Sequence, residues 1–289
     1  MKSIQLRSRA KINLSLDVIR KRLDGYHEVK MIMQQIDLCD TITLTENSTR
    51  KIHIVTECEY IPSGEKNIAY IAAELLKKKL NIDRGVNIHI EKNIPVAAGL
   101  AGGSSNAAAV LCGLNELWDL RLTTKELMIL GVDIGADVPF CVMGGAALAE
   151  GIGEKLTPIR GLENVWIVIC KPSLSVSTEV IYKQLDLSKL QPRQDINMLI
   201  ETVEKGNLVK LAKNMFNVLE EVTALRYPVI KQIEKKLLEY NAIGSMMTGS
   251  GPTVFGIYKN YERAKSAHVN LLRTYKQTYI AQSYSKNNL

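Results

Sequence analysis

No apolar run in this 289-residue chain approaches the roughly 20 residues that a membrane helix requires. The first residues, Met1 to Arg9, are polar and basic and lack the apolar core of a secretory signal. A soluble, cytoplasmic protein without a membrane partner is therefore expected. Cysteine is sparse. Cys39, Cys58, Cys112, Cys141 and Cys170 are odd in number, widely spaced and without the paired spacing of a zinc site, and they read as reduced packing residues. The chain also lacks internal repeats, low-complexity linkers and any basic stretch interleaved with aromatic residues.

What is present is a hydrophobic fraction of 46%, enough for a substantial core in one large domain or two lobes. The net charge of +7 favours an anionic ligand such as a nucleotide or phosphate ester. Much of that charge falls on helix faces, as in Lys77, Lys78 and Lys79 or Lys235 and Lys236, so no nucleic-acid partner is expected.

Ile12, Leu14, Leu16 and Val18 alternate with polar residues, the period-two pattern of a half-buried strand, and this places Lys11 and Asn13 on one polar face. Val86, Ile88 and Ile90 predict a second strand, with a helix before it marked by Ile68, Ile71, Ala72 and Leu75 and stopped near Asn81. Ala107, Leu111, Leu114 and Trp118 mark another helix, and Thr123 with Glu126 forms a capping-box pattern for the next. Val165 to Cys170 and Thr253 to Tyr258 read as strands, and Ile230, Ile233 and Leu237 as a helical face. The pattern is mixed α/β. Pro158 and Gly161 punctuate the chain and give the boundary between an N-terminal part, 1–158, and a C-terminal part, 159–289.

Between the strand at Val86 and the helix at Ala107 lies the segment Pro95, Val96, Ala97, Ala98, Gly99, Leu100, Ala101, Gly102, Gly103, Ser104 and Ser105. Glycines and small residues before a helix let several backbone N–H groups converge on an anion, and the helix terminus adds partial positive charge. The alternative is a tight turn with a serine N-cap. Neither the Gly-x-x-x-x-Gly-Lys-Ser/Thr spacing nor the Gly-x-Gly-x-x-Gly spacing is present, so a different phosphate-binding family is required.

The Pro95–Ser105 loop resembles the signature loop of the GHMP kinases. Ala10, Lys11, Ile12, Asn13 and Leu14 near the start, and Thr248, Gly249, Ser250, Gly251, Pro252 and Thr253 near the end, are similar to that family's first and third motifs. The segments Arg22–His27 and Gly135–Pro139 narrow the likeness to a branch whose substrate carries a cytidine diphosphate group. The resemblance implies a two-lobed α/β (α+β) fold with the active site in the cleft between lobes. It also implies ATP bound on the N-terminal part and phosphorylation of a small-molecule alcohol.

In this resemblance Asp137 is the carboxylate that orients or deprotonates the attacking hydroxyl, and Lys11 is its cationic neighbour. Asp133 is the competing carboxylate, and a helix-capping role competes for Asp137 itself. The base of the substrate is expected against Tyr26, His27 and Tyr182, the alcohol end near Asn13 and Thr178, and the adenine side near Asn67 and Lys92. Magnesium is expected with ATP, with Ser105 a candidate contact, but no carboxylate cluster identifies a protein-built metal site. A monomer or weak homodimer is expected. Open alternatives are another GHMP kinase, of homoserine or mevalonate type, and a nucleotide-binding regulator without catalysis.

Overall fold

The computed structural model describes residues 2–189 and 195–286. The chain opens with two long strands, β1 (Ser3–Lys21) and β2 (His27–Asn47). Then follow β3 (Ile52–Thr56), α1 (Ile68–Lys79), β4 (Gly85–Glu91), α2 (Gly102–Leu117), α3 (Thr124–Val132) and α4 (Val138–Met143). The remainder runs β5 (Ala146–Gly151), β6 (Lys155–Ile159), β7 (Trp166–Lys171), α5 (Thr178–Gln184), α6 (Ile196–Glu204), α7 (Leu208–Asn214) and β8 (Phe216–Asn217). It ends with α8 (Val218–Arg226), α9 (Val229–Glu239), β9 (Gly244–Met247), β10 (Val254–Tyr258), α10 (Tyr261–Leu272) and β11 (Gln277–Gln282). Among the described residues no helix is long and apolar enough to cross a membrane.

The chain divides into two compact units that are discontinuous in sequence. The first comprises Met1–Ala10, Cys39–Val96 and Ala101–Gly144, and the second Lys11–Leu38, Ala97–Leu100 and Gly145–Leu289. In the first unit β4 pairs antiparallel with the end of β2 (Ile42 opposite Ile90, Leu44 opposite Ile88) and parallel with β3. The alternation of Val86, Ile88 and Ile90 turns these side chains to one face, where α1 and α2 cover them. Small residues on the helices, Ala69, Ala72, Ala73, Ala107 and Ala108, allow close approach. A β-carbon on Gly113 would lie 2.6 Å from both Leu6 and Leu44, so α2 packs hard against this layer. The capping box at α3 is complete: the Thr123 N–H donates to Glu126 at 2.8 Å, and the Glu126 N–H donates to the Thr123 hydroxyl at 3.3 Å.

In the second unit β2 continues antiparallel to β5, and β5 to β6, while β8 lies parallel to β1 with Ser15 opposite Phe216. A second, antiparallel sheet has the order β11-β7-β10-β9. Its inner strands β7 and β10 are apolar and buried almost throughout, which is why they read as short unbroken apolar runs. Cys170 sits inside β7, where burial pushes its thiol up to about 12, the behaviour of an unreactive packing residue.

Helices α8 and α9 enclose a small ionic cluster. The Lys231 ammonium pairs with Glu220 and, at 2.9 Å, with one oxygen of Glu234, whose other oxygen is buried without a hydrogen-bond partner. Burial, then the neighbouring charge of Glu220, pushes the Glu234 carboxyl up to about 7. A carboxyl raised in the fold holds a proton that the unfolded chain has released, so it contributes stability in acid that is lost as pH rises from about 4.5 through about 7. Glu234→Gln stays neutral throughout and is expected to match the parent near pH 5 and exceed its melting temperature near pH 8. Parallel stability curves for the two proteins would overturn the assignment.

Candidate active site

The loop after β4 adopts left-handed backbone at every second position, Ala97 (φ 51°), Gly99 (φ 71°) and Ala101 (φ 55°). For alanine this conformation costs about 1–2 kcal/mol each, strain of the kind that collects at ligand-binding loops. Ala101 occupies the N-cap of α2 and makes no side-chain capping bond, and no acidic residue lies in the first helical turn. The serine-capped turn is therefore not what forms. Instead the first N–H groups of α2 are left without a capping side chain, and the positive end of the helix without a compensating carboxylate. Ser105 lies in the first turn and donates its hydroxyl to the Arg9 carbonyl at 2.5 Å, which leaves its oxygen as an acceptor.

Lys92, at the start of this loop, donates to Asp40 at 2.5 Å and to the Ile94 carbonyl at 2.9 Å. The fully buried Asp40 also accepts the Asn93 and Ile94 N–H groups, both at 2.7 Å, so it fixes the chain as it leaves β4. A β-carbon on Gly102 would stand 3.2 Å from the Lys92 ammonium. Glycine thus admits a cation beside the N-terminus of α2. Asn67 is the N-cap of α1, accepting from Ala69 at 2.9 Å and donating to the Pro62 carbonyl at 2.6 Å, so both ends of its amide have structural work.

Asp137 occupies the N-cap position of α4 but makes no side-chain capping bond, which removes the capping alternative. It is half-buried. Asp133, the competing carboxylate, is exposed and lies 3.7 Å from Lys79. Among the described residues no group of three or more His, Cys, Asp or Glu side chains could hold a metal ion.

In the second unit, β1 departs from the half-buried strand expected: every residue from Ala10 to Val18 is buried, and polar and apolar faces alike are covered. Lys11 is 4% exposed and Asn13 fully buried. The Lys11 ammonium donates to Asn13 Oδ1 at 2.8 Å, and its backbone N–H to the Leu100 carbonyl at 3.1 Å. The Asn13 N–H donates to the Thr248 hydroxyl at 3.0 Å. Gly249 and Gly251 are both left-handed, and the turn they shape lies directly on Gly99, where a β-carbon would stand 2.5 Å from the Thr248 carbonyl oxygen. The Thr178 and Ser250 hydroxyls are 2.8 Å apart. Lys11, Asn13, Thr178 and the glycine turn are thus brought together.

The β1–β2 turn is built by its own residues. Asp24 accepts from the Tyr26 N–H at 3.1 Å and from Arg22 Nε at 3.0 Å, and Gly25 supplies a positive φ of 88°. The hydrogen bond from Arg22 holds the Asp24 carboxyl below the usual range. Tyr26 is left exposed on this turn. The His27 ring lies 5.0 Å from that of Tyr182 on α5. Burial and the charge of Lys21 push His27 down from its ordinary value, so at neutral pH it offers one ring donor and one acceptor. Asp40, and Asn217 at the N-cap of α8, carry no motif signal in the sequence.

These two units carry a GHMP kinase fold. A family model described as "GHMP kinases N terminal domain" matches residues 67–145, and one described as "GHMP kinases C terminal" matches 199–277. The 4-diphosphocytidyl-2-C-methyl-D-erythritol kinase of Alkaliphilus metalliredigens is 65% identical over 286 residues, 99% of this chain and 98% of the relative. That of Clostridioides difficile is 52% identical over 287 residues, 99% and 97% of the two chains. A crystal structure of 4-(cytidine 5'-diphospho)-2C-methyl-D-erythritol kinase superposes with a TM-score of 0.83 at 30% identity, covering 97% of this chain and 99% of the other. A homoserine kinase from Cytophaga hutchinsonii, at 19% identity and a TM-score of 0.78 over 99% and 96% of the chains, shares the fold. The chain belongs to the 4-diphosphocytidyl-2-C-methyl-D-erythritol kinase family, and it is an ATP-dependent small-molecule kinase.

Proposed function

We propose that the protein transfers the γ-phosphoryl group of magnesium-ATP to the 2-hydroxyl of 4-diphosphocytidyl-2-C-methyl-D-erythritol, giving the 2-phosphate and ADP. This is a step of the non-mevalonate route to isoprenoid precursors. The hydroxyl oxygen bonds to the γ-phosphorus as the bond to the bridging oxygen of ADP breaks, and the hydroxyl proton passes to Asp137. Phosphoryl transfer asks mainly for positioning and for neutralisation of charge. The observation that carries the reading is the uncapped, acid-free N-terminus of α2 behind the left-handed loop, a ready receptor for phosphate oxygens. The full-length likeness to relatives of that name supports the choice of acceptor.

In this reading the backbone from Pro95 to Ser105 holds the triphosphate. Lys92 adds positive charge beside it, and Asn67 shapes the adenine side through the segment it pins. Magnesium arrives with ATP, and the Ser105 oxygen suits it as an acceptor. Lys11, immobilised by Asn13, places a fixed cation for the transferring group. Asn13 and Thr178 face the methylerythritol end. Tyr26, His27 and Tyr182 take the cytosine by stacking and by the two polar nitrogens of His27. The same reading keeps an N-terminal ATP-binding part, 1–158, a C-terminal part, 159–289, and a cytoplasmic monomer or weak homodimer.

The test is ADP release by the purified protein with magnesium-ATP and, separately, the cytidylyl substrate, homoserine and mevalonate. Release with the first alone supports reaction and acceptor, turnover with another alcohol sinks the acceptor, and silence with all three sinks the reaction. In the same assay Tyr26→Ala is expected to raise KM for the cytidylyl substrate by about 5- to 150-fold, since stacking contributes roughly 1–3 kcal/mol per base. Its KM for ATP should stay at the parental value, and equal losses for both substrates would remove Tyr26 from the base.

A further inference from the structure

Three polar side chains spaced three residues apart along α8 bond to the backbone of the 247–250 segment. Asn217, the N-cap, donates Nδ2 to the Met247 carbonyl at 2.9 Å and to the Gly249 carbonyl at 2.8 Å, while its Oδ1 accepts the Leu219 N–H at 3.1 Å. One turn further on, Glu220 accepts the Met247 N–H at 2.8 Å. A further turn along, the Thr223 hydroxyl lies 3.0 Å from the Leu219 carbonyl and 3.2 Å from the Ser250 carbonyl. Such spacing puts all three on one helix face. Asn217 and Thr223 are 7% and 0% exposed, so water does not substitute for these bonds.

The segment so held is the turn that lies on Gly99 and whose Thr248 hydroxyl receives the Asn13 N–H and donates to Asn13 Oδ1 at 3.3 Å. Asn13 Oδ1 in turn receives the Lys11 ammonium. A chain of hydrogen bonds therefore runs from α8 through the turn to the lysine. Capping α8 asks only for the acceptor oxygen of Asn217. Its amide nitrogen, placed between two carbonyls of the turn, serves no purpose in the helix.

We propose that Asn217, Glu220 and Thr223 are positioning residues for phosphoryl transfer, acting by fixing the Thr248–Gly251 turn and, through it, Asn13 and Lys11. This rests on the reading of Lys11 as the fixed cation of the reaction. A lysine displaced by an ångström is a large fault in such chemistry, costing on the order of 100-fold in rate.

Asn217→Ser separates the two functions, because serine caps a helix about as well as asparagine but cannot reach the two carbonyls. The variant is expected to keep a cooperative melt and parental amide exchange in α8. Exchange across 248–251 should rise at least about 10-fold, and kcat should fall about 10- to 100-fold with KM for ATP within about threefold of the parent. Glu220→Gln, whose amide oxygen still accepts the Met247 N–H, is expected to retain most of kcat, and Glu220→Leu to lose it. Unchanged exchange across 248–251 in Asn217→Ser would overturn the holding role. Raised exchange with parental kcat would overturn the link to catalysis. A parent that phosphorylates no acceptor would sink the kinase reading and this link with it, while the exchange data alone would still decide whether α8 holds the turn.

Discussion

Replacing Asp137 by asparagine is expected to lower kcat by about 10²- to 10⁴-fold, the usual contribution of a positioned general base. The ATP dissociation constant should stay within about threefold of the parental value, because the substitution changes no group of the triphosphate loop. Asparagine keeps the shape and removes the negative charge. Since Asp137 makes no capping bond to α4, the variant loses no cap, and it should keep a cooperative melt. That is what makes the result interpretable: a large kinetic loss with an intact melt and intact nucleotide binding belongs to the chemistry. Asp133→Asn is the control. Asp133 is exposed and its pairing with Lys79 at 3.7 Å is a surface interaction worth about 0–1 kcal/mol, so this variant should turn over as the parent does. Steady-state ADP release together with equilibrium ATP binding reads both arms. Parental turnover in Asp137→Asn would remove that residue from the proton transfer.

Elements whose signals are local were legible in the sequence. The alternation at Val86, Ile88 and Ile90, the helical spacing of α1, α2 and α9, and the complete capping box of Thr123 and Glu126 each depend on neighbours within a few residues. The apolar strands at Val165–Cys170 and Thr253–Tyr258 came within a residue of β7 and β10. Where partners are distant the pattern misled. The alternation at Ile12–Val18 indicates a strand, but its polar residues are buried because other segments cover that face, the Thr248–Gly251 turn at Asn13 among them. The strand β2, 21 residues long, alternates clearly only past Asp40, since Met31 to Ile36 are buried on both faces. Pro158 lies inside β6, a strand whose pairing is with β5, an edge position that tolerates a residue without an N–H.

The candidate site divides in the same way. Its glycines and serines fall within one short stretch and so were visible as one loop, which the structure shows left-handed at Ala97, Gly99 and Ala101. The groups that hold the start of that loop and the Thr248–Gly251 turn were not visible. Asp40 is 52 residues from Lys92, and Asn217 is 32 residues from Gly249. No spacing rule links positions so far apart. Only the folded chain brings the Asp40 carboxylate to Lys92 in the first unit and the Asn217 amide to Gly249 in the second.

Gly99→Ala is expected to destabilise the protein by about 2–4 kcal/mol, although it adds only a single methyl group. Alanine is tolerated in left-handed backbone on either side, at 97 and 101, so conformational strain of about 1–2 kcal/mol is not by itself prohibitive here. Position 99 differs in what surrounds it. A β-carbon there would lie 2.5 Å from the Thr248 carbonyl oxygen and 3.2 Å from that of Gly251, and both are backbone atoms. A flexible side chain could move aside, but this turn is tied to α8 by Asn217 and Thr223, so relief of the contact means breaking bonds to buried carbonyls. Gly103→Ala is the contrasting case. Its β-carbon would meet only the end of Ile68, at 3.4 Å, within the first turn of α2, where alanine favours the helix. Denaturant midpoints should therefore fall sharply for the first variant and hold or rise for the second. A Gly99→Ala protein with the parental midpoint would mean that the two loops yield freely, and would remove the rigid turn on which the placing of Asn13 and Lys11 depends.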